Sequence, residues 1–128
     1  MVEDDDSFAE ALTVLLEADG RLEVAGRARD GREGVELAEA LRPDVVLMDI
    51  VLPVMDGVEA TREIRRRQPT IPVIGITGSE YEERALEVQD AGAVDFVRKG
   101  RLDPDLVEIV VAAADRRRRR RRGRAPNA

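Results

Sequence analysis

The sequence predicts an α/β fold, a doubly wound five-stranded parallel sheet of order 2-1-3-4-5 with five helices. Short, nearly continuous apolar runs rich in β-branched residues, Val45-Val46-Leu47-Met48 and Val73-Ile74-Gly75-Ile76, read as parallel strands covered on both faces. Segments of helical period lie between such runs, and Gly20, Pro43, Pro69, Pro72 and Gly92 punctuate the changes. Right-handed crossovers then place a binding site at the carboxyl ends of the first and third strands.

The first strand is expected to end at Val2 to Asp4, with only Met1 and Val2 ahead of Glu3. Such a short strand at the centre of a sheet forgoes several kcal/mol of burial and ladder bonding, on the order of what a few buried side chains contribute. The first helix, about 7 to 19, puts Phe8, Leu12, Leu15 and Leu16 on one stripe, with Asp6 or Ser7 as N-cap candidates and Gly20 past its end. A second strand is expected near 22–28 and a second helix near 32–42, stopped by Pro43. The third strand covers 44–49, and the third helix, 57–68, carries Val58, Thr61, Ile64 and Arg65 at helical spacing. The fourth strand falls at 72–77, and a helix over about 80–91 ends at Gly92. The fifth strand spans 93–98, and the last helix starts near Pro104, with Asp103 as N-cap, and continues into an arginine run at 116–122.

A length of 128 residues fits one domain with a real core. The absence of cysteine and histidine excludes disulfides, thiolate sites, Ser-His-Asp and Cys-His catalysis, and zinc chemistry. Three aromatic residues, Phe8, Tyr81 and Phe96, argue against stacking of nucleobases or a flavin. The apolar stretches are strand-sized and no charged n-region precedes an h-region, which predicts no membrane span and a cytoplasmic protein. The net charge of −6 is split: residues 116–128 hold eight arginines and no acid, whereas residues 1–115 set thirteen basic groups against twenty-seven acids, leaving −14. An acidic body does not attract nucleic acid but suits carboxylates gathered around a divalent cation. The expected organisation is a domain over 1–115 and an arginine-rich extension over 116–128, a solvated, fraying helix end followed by disorder from Gly123. The alternative for that extension is an electrostatic tether to nucleic acid or to acidic protein.

Lysine occurs once, at Lys99, against twenty arginines. A lysine head is a compact point charge that reaches one oxygen in a tight pocket, and Lys99 stands at the end of the fifth predicted strand. Glu3-Asp4-Asp5 follow the first strand, Asp49 ends the third and Thr77 the fourth. Carboxylates brought so close repel unless neutralised, and an oxygen-ligand cavity of this kind suits Mg²⁺ with retained waters. An acidic cluster, a hydroxyl and one ammonium make a place to hold a phosphoryl group, and an aspartate can itself be the nucleophile. Taken singly, Asp49 has a strand-end turn residue as its minority reading, Thr77 is more often an ordinary strand residue and Phe96 more often core, and Pro53 and Gly57 are turn residues in either account.

Four motifs in order carry a resemblance over about residues 2–115: Val2-Glu3-Asp4-Asp5; Pro43 to Ile50 running into Leu52-Pro53 and Met55-Asp56-Gly57; Ile76-Thr77-Gly78; and Gly92 to Lys99. The chain resembles a receiver domain of bacterial two-component response regulators, stand-alone and similar to receivers of the NarL/FixJ-like type, which implies a flavodoxin-like fold. The resemblance implies that Asp49 is the phosphoacceptor, attacking the phosphohistidine of a histidine kinase or histidine phosphotransfer protein. It implies Mg²⁺ held by Asp4, Asp49 and the Val51 carbonyl, with Glu3 acting through water and Asp5 left as a helix-cap acid. Thr77 would bond the aspartyl phosphate, with Gly78 leaving room for it, and Lys99 would pair with a phosphate oxygen. Phe96 would report phosphorylation to a surface of helix 4, strand 5 and helix 5, where a phosphorylation-dependent homodimer or partner would meet Val88, Ala91, Val107 and Val111. Gly100 stands where the family commonly has a proline on a cis bond, removing a rigid turn. Two rivals remain. One is a receiver-like interaction module that is never phosphorylated. The other is an Mg²⁺-dependent aspartyl-phosphate phosphatase, disfavoured by the lack of an Asp-x-Asp motif at the third strand and of a cap domain.

Overall fold

A computed structural model of the chain describes residues 1–78, 84–100, 102 and 104–123. The elements are α1 (Asp6–Glu17), α2 (Gly31–Leu41), β1 (Val46–Asp49), α3 (Gly57–Arg67), β2 (Val73–Thr77), α4 (Arg84–Asp90), β3 (Asp95–Arg98) and α5 (Pro104–Gly123). The strands form one parallel sheet of order β1-β2-β3, with Asp49 opposite Ile76 and Thr77 opposite Arg98. Side chains alternate across it. Val46, Met48 and Val73 pack with Val35, Ala38 and Ile64 beneath α2 and α3, while Leu47, Ile74 and Ile76 pack with Leu12, Leu106 and Val110 beneath α1 and α5. Both faces are therefore covered, and the strand ends are the accessible parts of the sheet.

Among the described residues three strands form, not five; the third, fourth and fifth expected strands are β1, β2 and β3. The first two shrink to single rungs. Val2 makes one parallel bridge to Ala28 and one to Met48. Its N–H donates to the Leu47 carbonyl at 2.8 Å, its carbonyl accepts from Asp49 N–H at 3.0 Å, and Glu3 N–H donates to the Ala28 carbonyl at 2.9 Å. The cause is length: two residues ahead of the acidic run offer little more than one rung, so residues 22–27 have no strand beside them, and the Met1 amino group bonds the Gly26 carbonyl at 3.2 Å. Below Val2 lies a cavity of about 860 Å³, lined by Leu16, Val24, Leu37 and Val45 among others.

The helix starts are set by aspartates. Asp5, the acid the resemblance leaves to a helix cap, and not Asp6 or Ser7, caps α1 by accepting from Phe8 N–H at 3.0 Å; Asp30 caps α2 through Glu33 N–H at 2.8 Å, and Asp56 caps α3 through Glu59 N–H at 3.0 Å. Gly20 and Gly92 take the positive φ expected past a helix end, 84° and 114°. Residues 80–83 of the expected fourth helix, and its proposed successor's cap Asp103, lie outside the described residues, as do residues 124–128. Helix α5 runs through the arginine segment to Gly123. One member of that segment corrects the expectation of a solvated end: Arg117 is 6% exposed and packs its guanidinium 3.4 Å from Asp44. The surface expected at helix 4, strand 5 and helix 5 changes too. Val88 and Ala91 are buried because they pack with Ile50 and Val58, Val107 is buried and Val111 half-buried, and the large apolar residues exposed near this surface are Leu86 and Val94.

Candidate active site

The site is built from backbone outwards. Asp49 N–H and Ile50 N–H donate to the carbonyls of Val2 and Ile76, so the end of β1 is held from both sides. The rung at Val2 delivers Glu3 beside Asp49, and both carboxylates are buried. Lys99 is pinned by its own N–H, which donates to the Thr77 carbonyl at 2.9 Å. From there its Nζ reaches Asp49 Oδ2 and Glu3 Oε1, each at 2.8 Å. The contact to Asp49 is a hydrogen bond. That to Glu3 is an ion pair, which leaves Glu3 Oε1 buried with Lys99 as its charged partner. Glu3 Oε2 accepts from Asp5 N–H at 3.2 Å.

Burial pushes the Glu3 carboxyl above its ordinary range, and the neighbouring Asp49 carboxylate pushes the same way against Lys99. Burial pulls Lys99 down, but Asp49 and Glu3 overcome it and leave its pKa raised, so the ammonium is firmly charged. Ligand oxygens of Glu3, Asp4 and Asp49 lie within 4.8 Å of one another, with Asp4 exposed. Three hard oxygen donors, two buried and one facing water, fit a small divalent cation that keeps some of its waters. Val51 stands beside them, donating its N–H to Asp49 Oδ1 at 3.1 Å.

Thr77 is buried at the end of β2, and its hydroxyl donates to the Gly78 carbonyl at 3.0 Å. Phe96 is half-buried on the edge strand β3, opposite Gly75. The structure thus gathers Glu3, Asp4, Asp49, Val51 and Lys99 directly, with Thr77 attached through the Lys99 backbone.

Four features were not anticipated from sequence. The Lys99 Nζ sits 4.7 Å from the centre of the Phe8 ring, a cation–π contact from a residue assigned to the core stripe. Arg27 Nε and Nη2 donate to the Glu3 carbonyl at 3.0 and 2.9 Å, and Arg27 also pairs with Asp6 at 2.8 Å, bracing the acidic run. Arg84 pairs with Asp56 at 2.9 Å and ties α4 to the start of α3. Gly57 is more than a turn residue: its N–H donates to the Ile50 carbonyl at 2.8 Å, and a Cβ on it would lie 1.9 Å from the Asp49 carbonyl oxygen. The one available signal was the Asp-Gly pair, which sequence reasoning spent on a turn.

Val54, in the loop after β1, has φ 67° and is 78% exposed. A β-branched residue gains nothing there and sits in a left-handed conformation that costs about 1–2 kcal/mol. Val54→Asn is expected to raise the unfolding free energy by about 1 kcal/mol in urea titration; an unchanged midpoint would show the position to be unstrained.

Comparison with known proteins agrees with this geometry. The response regulator receiver domain family matches residues 1–111. A protein-glutamate methylesterase/protein-glutamine glutaminase of Alkalilimnicola ehrlichii is 46% identical over 101 residues, which is 77% of this chain and 26% of that protein. The chain therefore spans about a quarter of the length of such curated relatives. The response regulator domain of Thermotoga maritima CheB superposes with a TM-score of 0.81 at 32% identity, covering 89% of this chain and 92% of that one. The signal receiver domain of the putative response regulator NarL from Mycobacterium tuberculosis gives 0.83 at 28% identity, covering 89% and 92%. With a family match over most of its length and an acidic pocket closed by its single lysine, the chain belongs to the response regulator receiver domains of two-component signalling.

Proposed function

We propose that the chain is a cytoplasmic phosphoacceptor that takes a phosphoryl group onto Asp49 from the phosphohistidine of a histidine kinase or histidine phosphotransfer protein. The observation that carries the reading is the placing of Lys99 Nζ at 2.8 Å from both Asp49 and Glu3, in a cluster that offers a cation three carboxylates. An Asp49 carboxylate oxygen attacks phosphorus, the phosphorus–nitrogen bond of the donor breaks, and the imidazole leaves with its electron pair and takes a proton from water. Glu3, Asp4, Asp49 and the Val51 carbonyl would hold Mg²⁺, which when bound neutralises the phosphoryl oxygens and the carboxylates together. Lys99 exchanges its hold on Asp49 for a phosphate oxygen, and the Thr77 hydroxyl turns from the Gly78 carbonyl to another. Phe96 and the edge strand carry the change to the surface of α4, β3 and α5, where a homodimer or a partner would bind. The body over residues 1–115 suffices for this chemistry, with 116–128 as an extension whose arginines are suited to nucleic acid or acidic protein. The methylesterase and glutaminase names belong to relatives of which this chain spans about a quarter.

Incubation with acetyl phosphate and Mg²⁺ followed by intact mass tests the reading directly. One added phosphoryl group, about 80 Da, is expected, and its absence would return the chain to the unphosphorylated interaction module. Lys99→Arg is expected to slow uptake or shorten the adduct's lifetime by about tenfold or more, because the wider guanidinium cannot place one donor between Asp49 and Glu3. Wild-type rates and lifetimes in that variant would remove Lys99 from the chemistry.

A further inference from the structure

The amino-terminal end of the sheet, opposite the Asp49 end, carries a second concentration of charge. Arg42, Arg117, Arg120 and Arg121 line a pocket of about 260 Å³ together with Thr70. Asp44 is the carboxylate that answers them, and it is already shared between Arg117 at 3.4 Å and Arg118 at 3.2 Å. Arg42, Arg120 and Arg121 form no ion pair with any described residue. Arg117 is 94% buried by its 6% exposure, and its Nε is sealed from water without an acceptor. Burial, with Arg121 and Arg42 nearby, holds the Arg117 guanidinium below its usual pKa, the mark of a cation short of negative partners. Arg65, whose Nη1 donates to the Ile71 carbonyl at 2.6 Å, is also depressed, by burial and by Arg120.

The backbone points the same way. Arg42 closes α2 with φ 48°, a conformation that glycine or asparagine adopts at lower cost. The residue held there at conformational cost is one that lines the pocket. No aromatic residue lines the pocket, so a nucleobase would find no stacking surface. Four guanidinium groups around one small volume, with a single threonine, match an anion whose surface is all oxygen.

We propose that this pocket binds a compact multivalent phosphate anion of the pyrophosphate class, held by Arg42, Arg117, Arg120 and Arg121. It is a separate site from the phosphoacceptor and makes no use of Mg²⁺.

The test is calorimetric titration of the full chain with inorganic pyrophosphate in low-salt buffer without Mg²⁺. One equivalent is expected to bind with Kd at or below about 1 mM. Arg42→Gly, which suits the left-handed position and so spares the fold, and Arg120→Gln, on the helix surface, should each weaken binding at least about fivefold. Arg119→Gln, outside the pocket, should stay within about twofold. The idea is overturned if pyrophosphate does not bind. It is equally overturned if neither pocket variant matters, which would place the anion at Lys99, or if Arg119→Gln costs as much as Arg120→Gln, which would make the effect diffuse attraction of the kind that also draws duplex DNA.

Discussion

Asp49→Asn is expected to abolish phosphoryl uptake while leaving the metal-free protein more stable than wild type by about 1 kcal/mol. Two buried carboxylates, Asp49 and Glu3, face one ammonium. Removing one negative charge leaves Lys99 paired with Glu3, keeps the shape of the side chain, and relieves repulsion in a region that water does not screen. The gain is reduced by the loss of a charge-assisted hydrogen bond, which is why about 1 kcal/mol and not several is expected. Mg²⁺ should reverse the order. A ligand that binds only the folded state adds about 2.7 kcal/mol at a hundredfold excess over its Kd, and the variant forfeits much of that affinity. Intact mass after acetyl phosphate treatment and urea titration with and without Mg²⁺ check both halves. A stoichiometric adduct on the Asn variant would move the phosphoacceptor elsewhere, and a variant less stable than wild type without metal would show that Lys99 already balances both acids.

The parts of the fold legible in sequence are those governed by period and punctuation. Runs such as Val73-Ile74-Gly75-Ile76 gave β2, and helical period placed the starts of α1, α2 and α3 within about a residue, although the cap of α1 is Asp5 and not Asp6 or Ser7. The site was legible because its members sit at strand ends, where chain topology alone makes Glu3, Asp49, Thr77 and Lys99 neighbours. Pairing was less so. Whether 22–28 becomes a strand depends on what lies beside it, and with Val2 as the sole rung it does not. Burial of individual arginines also escaped the sequence, since Arg117 is distinguished from six identical neighbours only by the direction in which α5 points it toward Asp44. Gly57 escaped for a related reason: a close approach between segments leaves no periodic trace.

Gly57→Ala is expected to destabilise the protein by about 3–5 kcal/mol and to depress phosphoryl uptake in the fraction that remains folded. The sign is decided by two opposed effects. Gly57 opens α3 and has no positive φ, so helix propensity alone would make alanine better by about 1 kcal/mol. Against this, the added Cβ would stand 1.9 Å from the Asp49 carbonyl oxygen and 2.7 Å from the Ile50 Cα, both backbone atoms that cannot turn aside. Moving them breaks the hydrogen bond from Gly57 N–H to the Ile50 carbonyl and shifts the turn that sets Asp49. The neighbouring approach reinforces the constraint, because a Cβ on Gly31 would stand equally close, 1.9 Å, to the Met55 carbonyl oxygen in the same loop. Gly100→Ala is the control, since nothing lies within 4 Å of a Cβ there, and it should be near neutral. Urea midpoints for the two variants, with acetyl phosphate uptake measured below the transition, separate the cases. If Gly57→Ala proves as stable as Gly100→Ala, the close approach of α3 to Asp49 is not what holds the phosphoacceptor in place.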